Sequence, residues 1–264
     1  MNYEEICRQT IVAVEKAGEY VMEQLRNKNR HVTEKGEHNF VTNIDKQSEE
    51  ILVEELKKIV PGAGFIAEEG SGGTAAEEYN WIIDPIDGTT NFIHGVYPFA
   101  ISVALAQNLK PVVGIILELG RNECFYAWKD GGAYMDGEPI RVSTAESMQQ
   151  SLIALGFPYV KDERLPRFMK SVDWMLRNTH GVRRLGSAAT DIAWVACGRY
   201  DGFCEFGLSP WDIAAGVVIL EEAGGKTADF SGGDAYLFNE EVICSNGKNH
   251  EEFVQIVGSF MKGE

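Results

Sequence analysis

The stretch WIIDPIDGTTNF, residues 81–92, decides how the rest of the chain is read. An apolar run, Trp81-Ile82-Ile83, ends in two carboxylates three positions apart, Asp84 and Asp87, and Gly88-Thr89-Thr90 follows. The apolar run predicts a buried strand. Proline biases the residue before it toward extended backbone, so the strand should persist to Asp84. Pro85-Ile86 should then turn the chain and return Asp87 to the same side. Two ionised carboxylates converging at the end of a buried strand repel each other, and a cation offsets that cost. Hard oxygen ligands favour Mg2+, Ca2+ or Mn2+ over zinc. The Ile86 carbonyl is a further candidate ligand. Gly88 lets a ligand approach the backbone, and residues 89–94 are expected to start a short helix whose free N–H groups take an anion. The competing explanation is an Asx-type turn in which Asp84 and Asp87 only cap backbone.

Upstream, Gly64-Phe65-Ile66-Ala67 predicts a short strand running into Glu68-Glu69-Gly70. Glu68 then either joins the same pocket or sits in a solvated loop. Helical spacing is present over 3–26 and again over about 44–59, with Thr42 or Asn43 as cap and Pro61-Gly62 as the stop. Residues 31–41 read as a hairpin around Lys35-Gly36. Downstream, strand signals at 99–106, 112–118, 123–128 and 132–135 are separated by turn residues, the pattern of an antiparallel meander. From Ser151 the pattern changes to strands alternating with helices. Strands are expected at 152–155, 182–184, 202–205 and 242–245, with helices at 163–177, 187–196, 211–223 and about 249–261. The fold class is therefore α/β: an α+β half, 1–145, and an α/β half, 146–264, packed together as layers.

The second half supplies more acids at element ends. Asp212 lies in Ser209-Pro210-Trp211-Asp212, where proline suits a first helical turn. It is either a site residue or an ordinary first-turn acid. Glu205, at the end of the 202–205 strand, is open in the same way.

The 264 residues are 44% hydrophobic, enough for a sizeable core. No apolar run approaches the roughly 20 residues that cross a bilayer. The start MNYEEICRQT does not read as a secretory signal, so a cytoplasmic location without membrane attachment is expected. A net charge of −16 disfavours general nucleic-acid binding and suits cations. The five cysteines, 7, 124, 197, 204 and 244, form no CxxC pair and are expected to be reduced core residues. Thiol chemistry at Cys204 has no matching base motif. His94 lies close to the loop in sequence but is expected at the surface or behind the site.

FIAEEG (65–70), WIIDPIDGTTNF (81–92), RRLGSAATDIAWVACGRYDGF (183–203) and WDIAAGVVILEEAGG (211–225) together resemble the inositol monophosphatase family of metal-dependent phosphatases, over nearly the whole chain. The resemblance implies a layered αβαβα sandwich, two to three Mg2+ ions with Mn2+ as a substitute, homodimers and lithium inhibition. It implies that Glu68, Asp84 and the Ile86 carbonyl bind one Mg2+, and that Asp84, Asp87 and Asp212 bind a second. Glu68 would also reach a third ion. Gly88 and Thr89 would hold phosphate. The Thr89 hydroxyl, paired with Asp45, would orient and deprotonate the attacking water. Gly186, Ser187 and Ala188, with Glu205 and Arg183, would face the alcohol half of the substrate.

The reaction so implied is hydrolysis of inositol 1-phosphate. DGTTNF departs from the DGTKEF pattern of relatives that act on adenosine 3′,5′-bisphosphate and from the arginine-serine pattern of histidinol-phosphate phosphatases. Fructose 1,6-bisphosphate stays open, since the Arg183-Arg184 pair could meet a second phosphate. A non-enzymatic protein-binding module on this fold is the alternative from another class; loss of the carboxylates would be its signature.

Overall fold

The computed structural model describes residues 1–27, 32–36, 39–159 and 162–262, with backbone alone for 32–42. The chain opens with α1 (Tyr3–Asn27), followed by a small ribbon of β1 (Val32–Gly36) and β2 (Asn39–Thr42), paired antiparallel. Of the hairpin expected at 31–41, residues 31, 37 and 38 lie outside the described residues. Then come α2 (Asn43–Ile59), β3 (Gly64–Ala67), β4 (Tyr79–Asp87) and α3 (Thr89–His94). The expected meander follows as β5 (Ala100–Gln107), β6 (Lys110–Glu118), β7 (Glu123–Trp128), β8 (Gly132–Met135) and a two-residue β9 (Glu138–Pro139). These strands form one sheet in the order β3-β4-β5-β6-β7-β8-β9, parallel only between β3 and β4.

The second half contributes β10 (Leu152–Leu155), α4 (Arg164–Asn178), β11 (Gly181–Arg183), α5 (Ala188–Ala196), β12 (Gly202–Phe206), α6 (Pro210–Glu222), β13 (Lys226–Ala228), β14 (Glu241–Ser245) and α7 (His250–Met261). Its sheet runs β11-β10-β12-β14-β13, with β10 parallel to both neighbours.

The period-two alternation of side chains in a strand sorts the layers. Trp81 and Ile83 pack with α1 and α2, whereas Ile82 faces the opposite side, with Ile192 of α5 and Ile213 of α6. In β12, Phe203 joins that central layer, while Cys204 and Phe206 pack outward with Phe168 of α4 and Phe253 of α7. The result is five layers in the order α1/α2, large sheet, α5/α6, small sheet, α4/α7, the αβαβα arrangement expected. No helix among the described residues is long and apolar enough to cross a membrane.

One local expectation is corrected. The chain does not turn after Asp84; β4 continues to Asp87 with a bulge between the two aspartates. Pro85 has no N–H for the ladder, and Asp84 Oδ1 instead accepts from the Ile86 N–H at 2.9 Å. A bulge re-aims side chains without ending the strand, so both carboxylates leave a rigid element.

Candidate functional site

A cavity of about 380 Å3 opens where the ends of β3 and β4 meet the N-termini of α5 and α6. Its lining includes Glu68, Asp84, Asp87, Asp212, Glu205 and Asp191. Asp84, Asp87 and Asp212 each bring a carboxylate oxygen within 4.8 Å of the others. Asp84 and Asp87 are buried, and Asp212 is half-buried.

Each carboxylate is held separately. Asp84 is fixed by the Ile86 N–H. Asp87 Oδ2 accepts from Ser187 Oγ at 2.5 Å and from the Ala189 N–H at 2.9 Å, so it lies against the positive end of α5. Asp212 Oδ2 accepts from the Ser209 N–H at 2.6 Å, closing the first turn of α6 around Pro210.

The electrostatics follow from burial. Asp84 is held well above the usual carboxylate range by burial, then by Glu68, Asp87 and Asp212. Asp212 is raised likewise, by burial first and Asp87 next. Asp87 is pushed up to about 6 by burial, against the pull of its hydrogen bonds from Ser187 and the α5 backbone. Glu205 is pushed up to about 8 by burial and by Asp87, with Arg184 acting against the rise. Concentrated negative charge on hard oxygen donors is the donor set a divalent cation requires, so the residues present fit such an ion.

Beside the carboxylates, Gly88 holds φ 89° as the residue before α3, a left-handed backbone suited to glycine. Thr89 Oγ1 lies 3.0 Å from the Ile86 carbonyl and 3.2 Å from Asp45 Oδ1. A hydroxyl has one proton to donate, so these two acceptors compete for it. Asp45 is fully buried in the first turn of α2. Asn91 ties the two halves together here: its Nδ2 donates to Pro98 O at 2.7 Å and to Leu185 O at 2.8 Å.

The lining also includes Gly186, Ser187, Ala188 and Glu205. Gly156 allows Glu205 to lie there, because a Cβ on it would fall 1.9 Å from the Glu205 carboxylate. Arg183 is a correction: it is exposed, its Nη1 donates to the Val182 carbonyl at 3.0 Å, and it is outside the lining. β11 ends at Arg183, so Arg184, on the connection to α5, is the arginine at the cavity. Sequence reasoning also missed Asp191, Asn91 and Tyr159; Asp191 is buried in the first turn of α5, and its Oδ1 has no hydrogen-bond partner. His94 is exposed and lies outside the lining. The five cysteines are free thiols. Cys204 is buried, with its thiol pushed up by burial, and takes no part in the cavity.

A profile described as the inositol monophosphatase family matches residues 2–261. A protein of Mesorhizobium japonicum named inositol-1-monophosphatase is 40% identical over 219 residues, covering 83% of this chain and 82% of that one. A protein of Neisseria meningitidis serogroup B named putative Nus factor SuhB is 39% identical over 249 residues, covering 94% and 95%. The solved structure of a Thermotoga maritima IMPase superposes with a TM-score of 0.85 at 37% identity, covering 95% of each chain.

Proposed function

The chain belongs to the inositol monophosphatase family, and from that premise we propose that it is a Mg2+-dependent phosphomonoesterase that hydrolyses inositol 1-phosphate to inositol and phosphate. The observation that carries the reading is the meeting of Asp84 and Asp87 from strand β4 with Asp212 from helix α6 within 4.8 Å, beside Glu68 and Thr89.

On this reading Glu68, Asp84 and the Ile86 carbonyl hold one Mg2+, and Asp84, Asp87 and Asp212 hold a second; Glu68 also reaches a third, and Mn2+ substitutes. When bound, such ions neutralise phosphate oxygens, lower the pKa of water and stabilise a leaving alkoxide. The protein's own work is positional. Gly88 and Thr89 receive the phosphate through backbone N–H groups. The Thr89 hydroxyl orients the attacking water, and Asp45 takes the proton that passes through it. With the Ile86 carbonyl engaged elsewhere, the Thr89 proton has Asp45 as its remaining acceptor. Gly186, Ser187, Ala188, Glu205 and Asp212 contact the alcohol side, and Arg184 takes the role expected of Arg183. Attack is in line and involves no covalent enzyme intermediate. Residues 1–145 and 146–264 act as one catalytic unit in a cytoplasmic homodimer inhibited by lithium.

The test is a steady-state comparison of inositol 1-phosphate, fructose 1,6-bisphosphate and adenosine 3′,5′-bisphosphate, ranked by kcat/KM with Mg2+ and repeated in EDTA. Inositol 1-phosphate should rank first, and EDTA should abolish release. A higher rank for another substrate would move the assignment within the family.

A second reading draws on one observation, the name Nus factor borne by the Neisseria relative. On it the chain also docks onto a protein partner. Hydrolysis of none of a panel of sugar phosphates with Mg2+ present would favour a binding role alone.

A further inference from the structure

Helix α2 carries Asp45, Ser48 and Glu49 at positions i, i+3 and i+4, which puts them on one helical face. All three are buried. Each reaches a different part of the site. Asp45 meets Thr89, and Ser48 Oγ donates to the Pro85 carbonyl at 3.3 Å. Glu49 accepts two backbone N–H groups: Glu69 N–H to Oε2 at 2.7 Å and Ser71 N–H to Oε1 at 2.6 Å. The apolar continuation of that face, Leu52, Val53 and Leu56, is buried in the core with α1 and the large sheet, so the helix is a fixed support.

Hydrogen bonds from amides to an ionised carboxylate are short and strong, and both oxygens of Glu49 are occupied in this way. The two amides flank Gly70, immediately after Glu68. On the other side, the Glu68 N–H donates to the Ile83 carbonyl of β4 at 3.2 Å. The backbone carrying Glu68 is thus tied to the sheet at one end and to α2 at the other.

We propose that Glu49 is a positioning residue: by clamping the amides of Glu69 and Ser71 it fixes the loop that presents Glu68 to the cavity, and so sets the affinity for the divalent cation. This inference rests on the cation-binding reading above. A carboxylate that merely anchored a loop would affect stability and leave cation binding alone. One that holds a ligand-bearing segment acts as the outer partners of metal ligands do, where loss costs about 10–100-fold in affinity or activity. Linkage adds a reciprocal demand: if the clamp favours cation binding, the cation must strengthen the clamp.

The experiment compares the wild type, Glu49→Gln and the exposed neighbour control Glu50→Gln by calorimetric titration with Mn2+ after EDTA treatment. Glutamine keeps the shape but turns one acceptor into a donor facing an N–H. The Mn2+ Kd should rise about tenfold or more in Glu49→Gln and stay unchanged in Glu50→Gln. Saturating Mg2+ should restore kcat in Glu49→Gln. Equal Mn2+ affinity in Glu49→Gln and wild type, or a kcat deficit that saturating Mg2+ does not relieve, overturns the proposal. Absence of Mn2+ binding by the wild type instead overturns the cation reading on which it rests. Should Glu49→Gln fail to fold, amide exchange of the wild type decides. Mn2+ should slow exchange at Glu69 and Ser71 by the same factor, about tenfold, and unchanged exchange at both with Mn2+ bound overturns the proposal.

Discussion

Ser187 Oγ donates to Asp87 Oδ2 at 2.5 Å across a separation of 100 residues, joining the bulged end of β4 to the first turn of α5. The bond stabilises the ionised form of Asp87 against burial, which even with this bond in place pushes it up to about 6. Ser187→Ala leaves Asp87 with the Ala189 N–H. A hydrogen bond to a charged group is worth about 1.5–3 kcal/mol, so kcat/KM should fall at least about tenfold. The Mg2+ concentration for half-maximal activity should rise with it. Phosphate release measured over a Mg2+ series checks both, and an unchanged Mg2+ requirement would detach Ser187 from the cation site.

Asp87→Asn removes a candidate ligand while keeping side-chain volume. The amide oxygen can still accept from the Ala189 N–H, so the fold should survive, with circular dichroism matching the wild type. The kcat should drop by several orders of magnitude, because a neutral ligand in a two-metal site no longer balances the ions. A variant retaining more than about a tenth of wild-type activity counts against the assignment.

Removal of divalent cations should make stability depend on pH in an unusual direction. Glu205 is pushed up to about 8 and Asp87 to about 6, burial leading in both, and Asp84 and Asp212 are raised in the same sense. An acid with a raised folded pKa binds its proton more tightly folded than unfolded. Its contribution is therefore intact below the unfolded value near pH 4 and is lost as pH climbs through the folded value. In EDTA the melting temperature should fall between about pH 5 and 8. Added Mg2+ should flatten the slope, since it favours the ionised forms. A melting temperature that rises over this range in EDTA contradicts the electrostatic account.

Much of this was legible in the sequence, and the gaps have physical causes. Strands β3, β7, β8 and β10 fall on the residues expected, because apolar runs or alternation end there in strong turn residues. Asp84 and Asp87 were legible as a converging pair, yet the bulge was not, since a proline signals loss of an N–H without saying whether the ladder resumes. Ser187 was named only as a residue facing the alcohol half of the substrate, and no local pattern reports a hydrogen bond spanning 100 positions. Glu49 and Glu50 are adjacent acids in one helix, the first buried and the second exposed. Only the packing of α2 against the sheet separates them.

The two neighbouring arginines give the sharpest local test. Both are exposed, but Arg184 lines the cavity, whereas Arg183 lies outside the lining and is bonded to its own strand. A phosphate monoester entering this pocket meets mainly carboxylates, so a cationic side chain at the wall lowers the electrostatic cost of binding. Arg184→Ala should raise KM about tenfold with a smaller change in kcat, while Arg183→Ala stays within about twofold of wild type. Arg184 also opposes the upward shift of Glu205, so its loss should move any Glu205-dependent limb of the pH profile to higher pH. A plain loss of packing would not move that limb. Steady-state kinetics of both variants across pH measures all three quantities. Equal effects at 183 and 184 would mean that the alcohol side of the substrate is not bound at this wall.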